Sequence, residues 1–182
     1  MSGGWVAYHC DNCGECCKRL LIDRQDVRKG LPLLPEERSL FPEDLVKPGF
    51  GVGPDPETEN FEVFSYQLTV NECPNKAKGG CGIWVFRPAI CRAYPIVPVI
   101  TQGGAVVKVY DLACSVISTM SGTHPEERIH LEPSSIRGEV ENCSRVAEIT
   151  RRALEDPERT WFYDLKTGKW IHFTEMLGPD WS

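Results

Sequence analysis

The sequence predicts a small single α+β domain, with short strands, hairpins and a few helices organised around a cysteine-ligated metal or cluster site. Three observations predict it. The 182 residues, 41% hydrophobic and 25% charged, suffice for one domain that buries roughly 70% of its unfolded surface and needs no disulfide staples. Nine cysteines are present, four of them between Cys10 and Cys17, so the cysteines need a purpose other than stapling. Strand-type alternation and one strongly amphipathic stretch both occur along the chain.

Charge and leader signals narrow the function classes. Twenty basic against twenty-six acidic residues leave a formal charge of -6, which argues against sequence-independent binding to phosphate backbones, so no nucleic-acid partner is expected. Met1-Ser2-Gly3-Gly4-Trp5 offers neither a basic n-region nor an apolar h-region. No stretch approaches the roughly 18 apolar residues of a span, so no membrane partner is expected and the location is expected to be cytoplasmic. Thiols there stay reduced, and clustered cysteines bind metal or do redox chemistry.

In chain order, a short helix is expected around Asp23 to Arg28, ended by Gly30 and Pro32, and another near Pro42 to Val46. Glycines and prolines from Gly49 to Asn60 predict a surface loop. Phe61 to Val70 alternates like a strand. Ile96 to Thr101 and Ala105 to Leu112 flank Gln102-Gly103-Gly104 as a hairpin, with Pro98 tolerated at an edge or bulge. Glu139 to Leu154 is a helix whose stripe is Val140, Cys143, Ala147 and Leu154, stopped by Asp156-Pro157. Trp161-Phe162-Tyr163 and Trp170 to Phe173 form a terminal hairpin with Gly168 in its turn.

The chemistry lies in the cysteines. Two intervening residues let a tight turn present both sulfurs to one centre, and Cys10-x2-Cys13-x2-Cys16 does so twice. Gly14 removes a side chain where backbone passes close to sulfur. Adjacent side chains diverge, so Cys16 and Cys17 suit two metals, or two irons of one cluster, and a disulfide between them would be strained. Cys73-Pro74, Cys81 flanked by Gly79, Gly80 and Gly82, and Cys91 form a second half, with Cys91 to Pro95 as a helical turn docked on the site.

Cys-x2-Cys-Gly-x-Cys-Cys, followed by Cys73, Cys81-Gly-Ile-Trp, Arg87-Pro88, Cys91-Arg92 and Tyr94-Pro95, resembles the YkgJ-type cysteine-cluster family of CxxCxxCC zinc- or iron-chelating domains, which also includes a flagellin lysine methylase. The resemblance covers residues 10 to 17 and 73 to 95. It implies a small cytoplasmic metal domain with Cys10, Cys13, Cys16, Cys17, Cys73, Cys81 and Cys91 as ligands, brought together although 55 residues separate Cys17 from Cys73. Trp84 stands where family members often carry Tyr, and the carboxy-terminal third diverges. Residues 1–182 are thus expected to be one metal-binding domain, with 18–72 inserted between the two halves of the motif and 139–182 a divergent helix and hairpin.

The cysteine count favours an iron-sulfur cluster, [4Fe-4S] in type, over zinc, because seven or eight thiols without a companion histidine motif exceed one structural zinc site. Ligand softness admits both metals. Residues 73 to 95 carry Lys76, Lys78, Arg87 and Arg92 and no carboxylate, which suits an anionic thiolate centre with Arg87 and Arg92 beside it, or else a solvated basic face. Cys114 is either an eighth thiolate, completing two four-coordinate centres, or a buried small hydrophobe. Cys143 belongs to the helix stripe and is expected to pack. His9 adjoins Cys10, but His9, His124, His130 and His172 share no ligand spacing. No Ser-His-Asp order, phosphate-cradling glycine loop or catalytic carboxylate pair is present. Three functions follow in order: an iron-sulfur protein for redox or cluster-delivery work, a zinc-stapled adaptor for a protein partner, and a cluster-dependent modifying enzyme of methylase type.

Overall fold

Two patches of sheet and one long helix hold the cysteine segments in place. A computed structural model describes residues 6–24, 26–101, 104–123 and 131–177; His124 and His130 and the Gln102-Gly103 turn lie outside them. Among the described residues, thirteen short strands are joined by four α-helices. β1 (Ile22–Arg24) pairs with β2 (Val27–Lys29), and β3 (Pro32–Leu33), β4 (Val46–Pro48) and β7 (Tyr66–Leu68) make a three-stranded sheet in the order β3-β7-β4. β5 (Phe50–Val52) and β6 (Glu62–Val63) join the C-terminal β12 (Thr160–Asp164) and β13 (Lys169–His172) in an antiparallel sheet ordered β13-β12-β5-β6. β8 (Lys76–Ala77) with β9 (Gly80–Cys81), and β10 (Ile96–Ile100) with β11 (Val106–Tyr110), are separate hairpins. The helices are α1 (Ala89–Ala93), α2 (Ser115–Thr123), α3 (Arg137–Glu155) and α4 (Phe173–Leu177). None is long and apolar enough to cross a membrane.

The α+β class, the two predicted hairpins and the long helix are present. On α3, Cys143, Val146, Ala147, Ile149 and Ala153 are buried, with the expected Val140 and Leu154 half-buried at the margins. This stripe packs on α1 and β10. Cys143 is fully buried in an apolar cluster with Ile117, Leu131 and Ala93. In β12, Thr160, Phe162 and Asp164 are buried while Trp161 and Tyr163 are half-buried, the period-two pattern of a strand.

Elsewhere the local expectation is corrected. Asp23 to Arg28 forms the β1–β2 hairpin, not a helix. Its register sets Asp23 opposite Arg28, whose Nε and Nη2 donate to the carboxylate at 2.8 and 3.0 Å, so charges that resemble a helical pattern are a cross-strand pair. Pro42 to Val46 holds only a 3₁₀ turn, Glu43–Leu45, before β4. The expected loop at Gly49 contains β5, flanked by β12 and β6; Gly51 is needed there because the Phe61 ring lies where a Cβ would stand. Phe61 to Val70 splits into β6 and β7 because the amides of Phe64 and Ser65 both donate to Phe50 O, at 3.0 and 3.3 Å. α2 and α4 carry no sequence signal that anticipated them.

Two buried polar side chains tie the sheets together. Gln67 accepts from Gly30 N at 2.8 Å and donates through Nε2 to Pro48 O at 2.8 Å and Tyr163 O at 2.6 Å. Asp164, 2% exposed, accepts from the amides of Arg28, Lys166 and Thr167 and from Thr167 Oγ1, at 2.7 to 3.1 Å. Burial pushes its pKa up, but the hydrogen bonds outweigh burial and hold it below the usual carboxylate value. Such a depressed group stabilises the fold fully above the unfolded carboxylate pKa of about 3.9, and loses that contribution as pH falls through the lower folded value. Asp164→Asn should therefore cost about 2 kcal/mol in urea unfolding at pH 7, and the gap from the unsubstituted protein should narrow below pH 4.

Candidate metal centre

The first cysteine block is a run of tight turns. Asp11 Oδ1 accepts the Cys13 amide at 3.2 Å, and Gly14, at φ +75°, leads into the 3₁₀ turn Glu15–Cys17, closed by Cys17 N donating to Gly14 O at 3.1 Å. Gly14 is needed for its left-handed backbone and not for room beside sulfur, since a Cβ there would meet nothing nearer than Lys76 Cε at 3.9 Å. Cys10 and Cys13 are exposed, Cys16 is half-buried and Cys17 is buried.

The second block folds onto the first. Cys73 N donates to Cys17 O at 2.9 Å. Lys76 N returns to Cys73 O at 3.1 Å, and Gly82 N to Asn75 O at 2.8 Å, so the chain curls around the Cys73 sulfur. The β8–β9 hairpin sets Cys81 opposite Lys76. At its turn, Asn12 Nδ2 donates to Gly79 O at 2.8 Å, and Gly80, at φ +132°, stands so close to the Asn12 amide that a Cβ would overlap it. Cys91 lies on α1, whose start is fixed by the buried carboxylate of Glu37: Oε1 accepts Ala89 N at 2.6 Å and Oε2 accepts Leu34 N at 3.0 Å. Cys114 is buried at the start of α2, its amide donating to Asp111 O at 3.1 Å.

All eight candidate ligands, Cys10, Cys13, Cys16, Cys17, Cys73, Cys81, Cys91 and Cys114, line one cavity of about 40 Å³ as free thiols. Cys143 is outside it. The cavity lies between two apolar clusters, one supplying Tyr8 and Tyr94, the other Leu20, Leu31, Phe41 and Ile83. Its volume suits ions and ordered waters and falls well below the roughly 300 Å³ of an organic-ligand pocket. Among the described residues, no three His, Cys, Asp or Glu side chains stand ready to hold a metal ion. One sulfur engages a neighbour instead, Cys13 Sγ lying 3.4 Å from Ser115 Oγ.

Electrostatics follow from this crowding. Burial, then the charge of Cys17 and of Cys10, pushes the Cys16 thiol up to about 12. Burial is also the leading cause for Cys17, Cys73 and Cys91, each raised further by neighbouring cysteines. Backbone amides of Asn75 and Lys76 oppose this at the Cys73 sulfur. Asn75 Nδ2 and Arg92 Nε are buried without a partner among the described residues, but neither residue lines the cavity. Eight soft sulfurs around one cavity fit a thiophilic, net-negative metal centre once the side chains turn inward.

The remaining candidates are placed as follows. Arg87 lines the cavity with its guanidinium 3.5 Å from the Trp84 ring centroid and Nε donating to Trp84 O at 3.0 Å. Lys76 is paired with Glu72. His9 is exposed and is not part of the cavity wall. Both ring nitrogens of His172 are engaged, with Thr174 and with Glu158 O. Sequence reasoning missed Tyr8, Asp11, Ser115 and Glu37. The first three adjoin cysteines within two residues, a usable signal, whereas nothing near Glu37 points to Cys91, 54 residues on.

The model of the CxxCxxCC family, described as "Putative zinc- or iron-chelating domain", matches residues 9–115. The matched span contains all eight cavity cysteines and leaves out Cys143. No curated protein and no solved structure matches the chain. Gly80→Ala should force Asn12 away and strain the β8–β9 turn, lowering metal affinity about 10- to 100-fold in chelator competition while leaving the far-ultraviolet circular dichroism of the sheets and α3 intact.

Proposed function

The chain belongs to the CxxCxxCC family of zinc- or iron-chelating domains, and from that premise we propose that this cysteine-rich metal protein carries an iron-sulfur cluster, [4Fe-4S] in type, for redox or cluster-delivery work. The observation that carries the reading is the donor set of the cavity itself: eight soft sulfurs and, among the described residues, no histidine line it, which suits thiolate ligation of iron-sulfur clusters. Cys10, Cys13, Cys16, Cys17, Cys73, Cys81, Cys91 and Cys114 are the proposed ligands. A bound cluster supplies one-electron chemistry at a potential set by its surroundings. The protein's own share is threefold. Apolar side chains such as Leu20, Phe41 and Ile83 form part of the cavity wall, while Cys10 and Cys13 stay exposed. The amides of Asn75 and Lys76 hold the Cys73 sulfur as an acceptor. Arg87 places positive charge on the cavity wall.

A structural zinc in an adaptor is the second reading, and an exposed surface favours it. Val85 and Phe86, in the 3₁₀ turn after Ile83, are 75% and 70% exposed, and Leu112, two residues before Cys114, is 66% exposed. Large apolar side chains displayed this openly beside a metal site suit a protein partner under either reading. A cluster-dependent modifying enzyme ranks third, since the cavity leaves no room for an organic substrate. Reduced thiols suit a cytoplasmic setting.

Anaerobic purification, an optical spectrum, and iron, zinc and sulfide analysis decide the metal. The cluster reading expects a brown protein with near-equal iron and sulfide. A colourless protein with stoichiometric zinc and no sulfide puts the adaptor in its place. In the cluster-loaded protein, Arg87→Gln should lower the reduction potential, because a cation on the cavity wall favours the more negative reduced state; film voltammetry reads the shift.

A further inference from the structure

Resting on the metal reading above, we propose that the eight thiols form two adjoining four-sulfur sites: Cys10, Cys13, Cys16 and Cys114 in one, Cys17, Cys73, Cys81 and Cys91 in the other. Each takes one thiophilic divalent cation or one cluster. Four cysteines complete a tetrahedral zinc-type site and equally a cubane, so eight in one cavity are two complete sets.

The first set is assembled by the docking of α2 on the opening loop. Cys13 Sγ lies 3.4 Å from Ser115 Oγ, and Ser115 Oγ donates to Asp11 Oδ2 at 3.0 Å. These contacts bring Cys114, the preceding residue, onto the Cys10–Cys16 turns across about a hundred residues of chain. Tyr8 packs in the same apolar cluster as Cys114 and lines the cavity with Cys10. Without Cys114 the three sulfurs of the loop would leave a fourth position open.

A different set of bonds assembles the second group. Cys73 N donates to Cys17 O at 2.9 Å, and the ladder continues in the Lys18–Glu72 bridge. The Cys17 and Cys73 side chains line the same cavity. Cys81 enters through the β8–β9 register and the Gly82 N to Asn75 O bond. Cys91 comes from α1 and completes the second set by count; the charge of Cys16, then those of Cys73, Cys17 and Cys81, bear on it.

Cys16 and Cys17 are the seam. They are consecutive on a 3₁₀ turn, where successive side chains point about 120° apart, and they differ in burial accordingly. One side chain therefore serves each set. The charge of Cys17 bears on Cys16 ahead of those of Cys10 and Cys13, and that of Cys16 leads at Cys91, so the two sites lie side by side.

Anaerobic titration of the reduced, metal-free full chain with Co²⁺ tests the partition, because tetrathiolate cobalt has intense visible ligand-field bands. The unsubstituted protein should bind two equivalents, both with these bands. Cys13→Ser, exposed and so harmless to folding, and Cys114→Ser should each leave one four-sulfur equivalent. Cys81→Ser should leave the other, and Cys13→Ser with Cys81→Ser should leave none. Saturation of the unsubstituted protein at one equivalent, with every single variant abolishing it, overturns the partition and keeps the metal reading. A Cys114→Ser protein with two unchanged four-sulfur equivalents also overturns the partition. No cobalt bound by the unsubstituted protein overturns both.

Discussion

Eight sulfurs from three stretches of chain share a cavity of about 40 Å³, and as thiolates they would repel one another where water screens poorly. That repulsion is the constraint the rest of the structure answers. Without a cation among them, burial and neighbouring sulfurs push Cys16 up to about 12 and raise Cys17, Cys73 and Cys91 as well. A cation would offset part of the negative charge and turn sulfurs into ligands. The amides of Asn75 and Lys76 at Cys73 are donors that an anionic centre would use.

Holding such a group together requires rigid supports, and these lie outside the motif. Glu37 sets the start of α1 and hence Cys91. Asn12 pins the opening loop to the β8–β9 turn. Residues between the two halves of the motif, Leu20, Leu31 and Phe41, form one wall, while Tyr8 and Tyr94 belong to the cluster packed under α2 and α3. Gln67 and Asp164 join the sheets behind this wall.

The seven motif cysteines were legible because ligand spacing is a local property: Cys10-x2-Cys13-x2-Cys16 fixes geometry within one loop. Cys143 was legible as core because it falls on an amphipathic helix stripe. Cys114 could be read either way, and both readings have a physical basis, since it lines the cavity and also belongs to an apolar cluster. Glu37 could not be found, because a buried carboxylate capping a helix that starts 52 residues on leaves no local trace. The same limit explains the fold. Long periodic segments such as α3 and the β12–β13 hairpin declare themselves. Asp23 to Arg28 does not, because only a partner strand decides whether its charges pair along a helix or across a ladder.

X-ray absorption at the metal edge of the anaerobically isolated protein tests the central claim, that sulfur alone holds the metal. A shell of four sulfurs per metal at about 2.3 Å is expected. A shell with nitrogen or oxygen as half or more of its atoms would contradict it.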